Sequence, residues 1–140
     1  MAARAGLVTV SSARVITIVP GDIARPGGHY SHAMRFGDLV FTSGQLGVRA
    51  DGSHAAEGPF EEQVRQALGN MLAALHAAGA EPRDILKVTA YIVGVDLCPR
   101  FNAIYAEVMG EARPARTVVP VAELHYGYLI EIDAIAASPG

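Results

Sequence analysis

A basic and an acidic residue, Arg116 and Glu131, stand fifteen positions apart near the end of the sequence. A guanidinium matches a carboxylate through two parallel hydrogen bonds, so Arg116 is suited to hold the carboxylate of a small substrate. Strand periodicity places Glu131 and Asp133 on one face, about 7 Å apart. Burial and a like charge raise a carboxyl pKa, which suits an acid that exchanges protons with water. Two alternatives stay open: a solvated face for the two acids, or a structural salt bridge between Arg116 and Glu131.

Three other groups have side chains suited to binding or chemistry. The segment 42–45 (TSGQ) ends a predicted strand, and a glycine after Ser43 lets a ligand approach the backbone closely. Ser43 lacks the G-x-S-x-G context of a nucleophile. Tyr30 offers a phenol, either to a ligand or to packing. His29 and His32 resemble a metal pair, but on an extended segment they point to opposite faces and no third ligand follows at zinc-like spacing, so we predict no metal site.

Hydrophobic periodicity predicts the elements that must position these residues. A helical stripe runs from Phe60 to Ala78 and ends at Gly79, and a second helix is capped by Asp96 and ends at Gly110. The predicted strands are residues 15–19, 30–35, 39–43, 85–95, 117–121 and 128–137. The order is therefore β, β-hairpin, α, β, α, β, β.

This order predicts a single α+β domain, a mixed sheet with both helices on one face. The strand at 85–95 is apolar on both sides, and two helices cannot cover both faces. Self-association is the simplest cover for the second face. The last two strands read as a hairpin-like pair, which would bring Arg116 and Glu131 to one cleft. Pro120 should lie where the sheet needs no donor.

Composition limits the class of protein. The net charge is −3 and the eleven basic residues are scattered, so we predict no nucleic-acid partner. No apolar run approaches the roughly 20 residues that span a bilayer, so no membrane insertion is predicted. The single cysteine, Cys98, allows no internal disulfide and favours a reducing, cytoplasmic location. Residues 1–13 are predicted to be a flexible tail, and 14–140 the folded domain.

The sequence resembles the Rid family, the reactive intermediate deaminases also called YjgF-like proteins, from about Gly27 to Ala136. The resembling segments are residues 28–33, 38–45, 101–105, 113–117 and 129–136. Each segment is short, but together they occur in the family's order. The resemblance implies a chorismate-mutase-like fold assembled as a homotrimer, with clefts at the subunit interfaces. It also implies hydrolysis of reactive enamines and imines, such as 2-aminoacrylate, to 2-keto acids and ammonia, without a metal or an organic cofactor.

By position, the resemblance assigns roles to individual residues. Arg116 would hold the substrate carboxylate, while Glu131 would orient the attacking water and, with Tyr30 beside the substrate, form the catalytic pair. The other predicted binding residues are Ser43, Asn102 and the backbone of Gly44 and Val118.

Two departures from the family pattern leave alternatives open. Many members carry a cysteine where this chain has Val118, and a proline where it has His29. A pathway-specific deaminase with a larger substrate and a non-catalytic ligand-binding trimer are therefore alternatives. A third is the ribonuclease or translation-inhibitor activity of some relatives, against which the acidic balance argues.

Overall fold

The computed structural model describes residues 14–138, so the predicted tail at 1–13 lies outside the described residues. Within them, six strands form one sheet and two α-helices accompany it. The strands are β1 Val15–Ile18, β2 Ala33–Phe36, β3 Leu39–Thr42, β4 Ile85–Ile92, β5 Ala115–Pro120 and β6 Ile130–Ala137, and the helices are α1 Phe60–Ala77 and α2 Cys98–Met109. The predicted mixed α+β domain and its order of elements are confirmed.

The strand order is β1-β2-β3-β6-β4-β5, and only β4 and β5 run parallel. The prediction of a hairpin-like pair between β5 and β6 is wrong, because β4 lies between them. The reason is topological: α2 forms the crossover from β4 to a parallel β5, as parallel neighbours require. The chain then returns to the other side of β4 to form β6.

One face of the sheet packs against both helices. The predicted stripe of α1 is buried, and α2 buries Phe101, Ile104 and Tyr105 in the same core. The sheet contributes alternate residues to this core, namely Val88, Ala90, Ile92, Ile130, Ile132 and Ala134. Neither helix within residues 14–138 has the length and apolarity needed to cross a membrane.

The second face of the sheet carries Glu131, Asp133 and an apolar surface. Phe41 pairs with Ile135 across β3 and β6, and both lie on this face. Phe41 is 43% exposed, and further along the face Phe36 is 54% exposed. The second face is therefore left partly uncovered within one chain.

Asn70 of α1 fixes the loop that follows β3. The sequence places Asn70 on the polar side of the helix, but its side chain is buried. Its amide nitrogen donates to the carbonyls of Leu46 at 3.0 Å and Val48 at 2.8 Å. The position of the loop therefore depends on Asn70, because the buried carbonyls of the loop need a hydrogen-bond donor.

Asn70→Ala is expected to lower the free energy of unfolding by about 2 kcal/mol, because two buried carbonyls lose their donor. Urea unfolding followed by circular dichroism measures this change. Gln66→Ala is the matched control, since Gln66 makes a single, partly exposed hydrogen bond to the Asn70 side chain. Equal losses in the two variants would contradict the special role of Asn70.

Candidate functional site

A cleft of about 530 Å³ opens beside the junction of β3 and β6. Four of the predicted site residues line it: Tyr30, Ser43, Gly44 and Glu131. They come from three separated parts of the chain. The fold therefore assembles one half of the predicted site within a single chain.

A β-bulge after β3 creates the floor of this cleft. Phe41 pairs with Ile135, and Gln45 bridges Ile132, so the β3 side has one residue more than the β6 side. The Thr42 hydroxyl accepts the Ala134 N–H at 3.0 Å, which replaces the interrupted ladder bond. Bulges of this kind redirect side chains next to active sites.

The bulge sets Gly44 directly against the Glu131 carboxyl group. A Cβ at Gly44 would overlap Glu131 Oε2 and would lie 2.9 Å from its Cδ. Any side chain at position 44 would therefore require the Glu131 carboxylate to move. Within residues 14–138 the Gly44 N–H makes no hydrogen bond, so it is available to a ligand in the cleft.

Gly44→Ala is expected to displace the Glu131 side chain and to lower the turnover of a Glu131-dependent reaction by about tenfold or more, because small misplacements of catalytic groups are costly. Steady-state kinetics measure the effect. Gly69→Ala is the matched control, since a Cβ at Gly69 meets nothing within 4 Å. Equal activity in the two variants would show that the Glu131 position does not matter.

The Glu131 carboxyl group has the electrostatic setting that the sequence predicts. Partial burial is the main cause that raises its pKa, the charge of Asp133 raises it further, and His125 lowers it. Burial also raises the pKa of Asp133, whose Oδ2 accepts the Tyr91 hydroxyl at 3.4 Å. The alternative of a freely solvated acidic face is not observed. A carboxylate of raised pKa is a better proton acceptor at neutral pH than an ordinary glutamate.

Hydrogen bonds hold the cleft wall around Ser43. Its hydroxyl donates to the Ser31 carbonyl at 2.6 Å. The Ser43 oxygen can therefore accept a hydrogen bond from a ligand, but its proton is already engaged. His32 is buried, with Nε2 at 2.7 Å from the Ala24 carbonyl and Nδ1 at 3.1 Å from the Gln45 side-chain nitrogen. Both ring nitrogens are thus engaged within the chain, which gives His32 a structural role.

Tyr30 forms part of the opposite wall. Its hydroxyl accepts the Gly27 N–H at 3.3 Å, and its ring meets that of His32 edge to face at 6.3 Å. The residue is 49% exposed, so the ring faces open space rather than the core. Packing of Tyr30 in the core of the chain is therefore not observed, and its packing at an interface with another chain stays an alternative.

Three further residues line the cleft: His54 and His125, which the sequence did not single out, and Tyr126, which lies in an aromatic turn that the sequence associates with a larger substrate. They come from a loop and from the short 3₁₀ turn His125–Gly127, where no periodicity reports on orientation. The aromatic turn before β6 was the one available signal, since it precedes the strand that carries Glu131.

Arg116 lies on the opposite face of the sheet. It pairs with Val88, whose side chain is in the helix-side core, and its guanidinium lies over Tyr105 at 4.8 Å and Phe101 at 5.5 Å from the ring centroids. The alternative of a salt bridge with Glu131 is therefore wrong, and so is a common cleft for the two within one chain. Cation–π contacts of this kind hold a guanidinium in place while its N–H groups stay free.

Asn102 and Val118 lie on the same side as Arg116. Asn102 is exposed on α2, next to Phe101, and Val118 packs at the border of the helix-side core. The Tyr105 hydroxyl is buried there without a hydrogen-bond partner among the described residues. An unpaired buried hydroxyl costs about 1–3 kcal/mol, so a hydrogen-bond partner for Tyr105 would stabilise this region. The described residues supply no such partner.

Among residues 14–138, β5 is an edge strand of the sheet beside these residues. Pro120 lies on this edge, and the next residue, Val121, donates its N–H to the Ile92 carbonyl at 2.9 Å. The predicted placement of Pro120 without a ladder donor is confirmed. Because alternate residues of an edge strand direct their N–H groups outward, the Val118 N–H points away from β4.

Comparisons with known proteins place the chain in a family. The family model described as endoribonuclease L-PSP matches residues 22–138. A RutC family protein of Pyrococcus horikoshii is 39% identical over 112 residues, which cover 80% of this chain and 89% of that protein. A 2-iminobutanoate/2-iminopropanoate deaminase of Dermatophagoides farinae is 35% identical over 111 residues, 79% of this chain and 87% of that protein.

Solved structures agree with the sequence relatives. The crystal structure of the YjgF gene product of E. coli superimposes with a TM-score of 0.82 at 32% identity, over 87% of this chain and 98% of that one. The resemblance drawn from five short segments is thus confirmed. The chain belongs to the endoribonuclease L-PSP family, which is also called the YjgF, RutC or Rid family.

Proposed function

We propose that the protein hydrolyses reactive 2-imino acids, formed from enamines such as 2-aminoacrylate, to 2-keto acids and ammonia. The observation that supports this most directly is the Glu131 carboxyl group. It is half-buried against Gly44, in a cleft that also offers a free backbone N–H. A water bound there has a proton acceptor and an oriented donor within reach. The relative from Dermatophagoides farinae, named an imine deaminase, supports the same chemistry.

The substrate carboxylate would be held by Arg116 of a neighbouring subunit. Arg116 aligns with Val88 and Ala134, whose side chains face the helices, whereas Glu131 aligns with Tyr91 on the second face. The strand β4 lies between them and the two side chains are on opposite faces, so they cannot share one small molecule within a chain. A second copy that packs on the exposed second face would bring its own Arg116, Asn102 and Val118 N–H to the cleft.

A closed trimer satisfies this arrangement. The contact is heterologous, because the second face of one chain meets the β5 edge of the next, and a heterologous contact forms a ring when its rotation closes. The apolar residues Phe36, Phe41 and Val15 are 54%, 43% and 66% exposed and would be covered. Each ring of three would contain three identical clefts.

The proposed reaction depends mainly on how the substrate and the water are placed relative to each other. The enamine tautomerises to the imine, and Arg116 fixes the carboxylate so that a placed carbon meets the water. Glu131 takes a proton from the water as the water oxygen bonds to the imine carbon, and passes that proton to the imine nitrogen to give a carbinolamine. The carbinolamine hydroxyl then gives its proton, through Glu131, to the amine as the C–N bond breaks, which leaves ammonia and the 2-keto acid. The Gly44 and Val118 N–H groups and the Ser43 oxygen would hold water and substrate, with Tyr30 closing one side.

Two alternatives predict different behaviour. A ligand-binding trimer without catalysis would bind small carboxylates through Arg116 but release no keto acid. Ribonuclease activity, which the family's description names, receives less support from a chain of net charge −3 without a basic stripe. We place the protein in the cytoplasm, since its single cysteine suits a reducing compartment.

The direct test generates imines in place with an amino-acid oxidase and measures the rate of keto-acid formation with the purified protein. Acceleration that scales with protein concentration supports the proposal. Tight binding of small carboxylates with no acceleration for small, branched or aromatic imines would support the ligand-binding alternative instead.

A further inference from the structure

An aromatic bridge that the proposed mechanism does not use crosses the Glu131 cleft. The Tyr126 ring stacks on His54, with centroids 4.5 Å apart and an interplanar angle of 35°. His54 is held in turn, because its Nδ1 lies 2.8 Å from the hydroxyl of buried Tyr128. At its other end, the Tyr126 hydroxyl lies 4.0 Å from the place of a Cβ on Gly27, in the opposite wall. Tyr126 thus reaches from its own turn across to the far wall.

The backbone holds Tyr126 there in an unfavourable conformation. Its φ is +60°, and among residues 14–138 no other non-glycine residue has a positive φ. A bulky residue in this region costs about 1–3 kcal/mol, and such costs concentrate at ligand sites. The residue is nevertheless 65% exposed, so core packing does not account for the strain. Tyr126 thus presents an exposed aromatic ring at the cleft although its backbone conformation is unfavourable.

The cleft of a single chain also extends beyond the Glu131 carboxyl group. Its volume of about 530 Å³, before any neighbouring subunit is added, lies in the range of pockets that take drug-sized ligands. Beyond Glu131, the wall includes the apolar side chains of Ile23, Leu46 and Val48. An apolar wall facing an aromatic ring suits a flat, unsaturated side chain.

We propose that Tyr126 is a specificity-determining residue and that the subsite between Tyr126, His54 and Val48 takes the ring of an aromatic 2-imino acid. This rests on the proposed function for the chemistry, although recognition of the ring needs only the cleft. The substrate carboxylate and imine carbon stay at the Glu131 end, while the side chain extends towards Tyr126. Aromatic pairs gain by offset or edge-to-face contact beyond simple burial.

Two substitutions at one position test this. Tyr126→Asn removes the ring and tolerates the left-handed backbone, whereas Tyr126→Phe keeps the ring and removes only the hydroxyl. The measured quantity is the ratio of kcat/KM for the imine of phenylalanine to that for the imine of alanine. We expect the wild-type ratio to favour the aromatic imine, Tyr126→Asn to lower it by about tenfold, and Tyr126→Phe to keep it within about twofold. An unchanged ratio in Tyr126→Asn would overturn the proposal.

A binding measurement separates this inference from the proposed function. Calorimetry with phenylpyruvate and pyruvate needs no turnover. Tighter binding of phenylpyruvate that is lost in Tyr126→Asn, with no hydrolysis of either imine, would leave the subsite standing and refute the deaminase. Hydrolysis of both imines with equal kcat/KM, and no effect of Tyr126→Asn, would refute the subsite and leave the deaminase standing.

Discussion

Glu131→Gln is expected to lower the rate of imine hydrolysis by about 100-fold or more, because the amide keeps the shape of the side chain and loses the proton acceptor. The binding of a keto-acid product should change little, since the carboxylate of the ligand is held elsewhere. Steady-state kinetics and calorimetry on the same variant separate the two effects. A variant that retains wild-type turnover would remove Glu131 from the mechanism.

The same substitution is expected to keep or raise stability at neutral pH. Burial raises the pKa of Glu131 in the folded chain, so the folded state binds this proton more tightly than the unfolded state does. Ionisation therefore costs stability as pH rises from the ordinary glutamate pKa through the raised value. Glutamine avoids that cost, so the Tm at pH 7 should equal or exceed that of wild type. A fall in Tm would indicate a structural role instead.

The raised pKa of Glu131 also predicts how the activity of the wild-type enzyme depends on pH. If Glu131 accepts the proton from water, kcat/KM should fall as pH drops through its raised pKa, which lies above the ordinary value of 4.5. A profile that stays flat down to the ordinary glutamate range would contradict this role.

Arg116→Ala is expected to lower kcat/KM by about 100-fold, mainly through KM, because the substrate carboxylate loses two charge-assisted hydrogen bonds. Arg116→Lys is the matched control, since it keeps the charge and loses the planar fork, and it should recover part of the loss. Retention of wild-type KM in Arg116→Ala would exclude the clamp. The Tm separates this effect from a loss of packing over Tyr105 and Phe101.

The sequence predicts the elements well because periodic burial determines them. The stripe of α1 and the alternation of β6 follow directly from residues whose spacing matches one face. Periodicity does not show which strand pairs with β5. A strand in a hairpin and a strand that follows a crossover helix have similar residue patterns and similar spacing in the sequence. The burial of Asn70 was not predicted for a related reason. A polar residue at the border of a helix face is buried only where loop carbonyls need a hydrogen-bond donor.

The site was predictable by residue type and not by arrangement. Glu131 and Gly44 emerged from spacing and resemblance, but their direct contact depends on a bulge that periodicity cannot show. Arg116 was expected in the same cleft, whereas register places it on the other face. His54 and Tyr126 come from loops, where orientation depends on tertiary contacts alone.

The two departures from the family pattern now have structural settings. Val118 lies on the edge strand with its backbone directed outward, so a valine side chain leaves the proposed N–H contact intact. His29 is exposed next to Tyr30 in the sequence and is not among the residues that line the cleft. Neither change removes a group that the proposed mechanism requires.

The most direct test of the central claim, a site shared between subunits, mixes two variants that each lose most of kcat/KM, and measures activity at substrate concentrations well below KM. Subunits with Glu131→Gln and subunits with Arg116→Ala are co-expressed in equal amounts, so that rings form at random. If each cleft joins Glu131 of one chain to Arg116 of its neighbour, about a quarter of the clefts are intact and about a quarter of the wild-type activity returns. If both residues act within one chain, no subunit has both, and the mixture stays inactive.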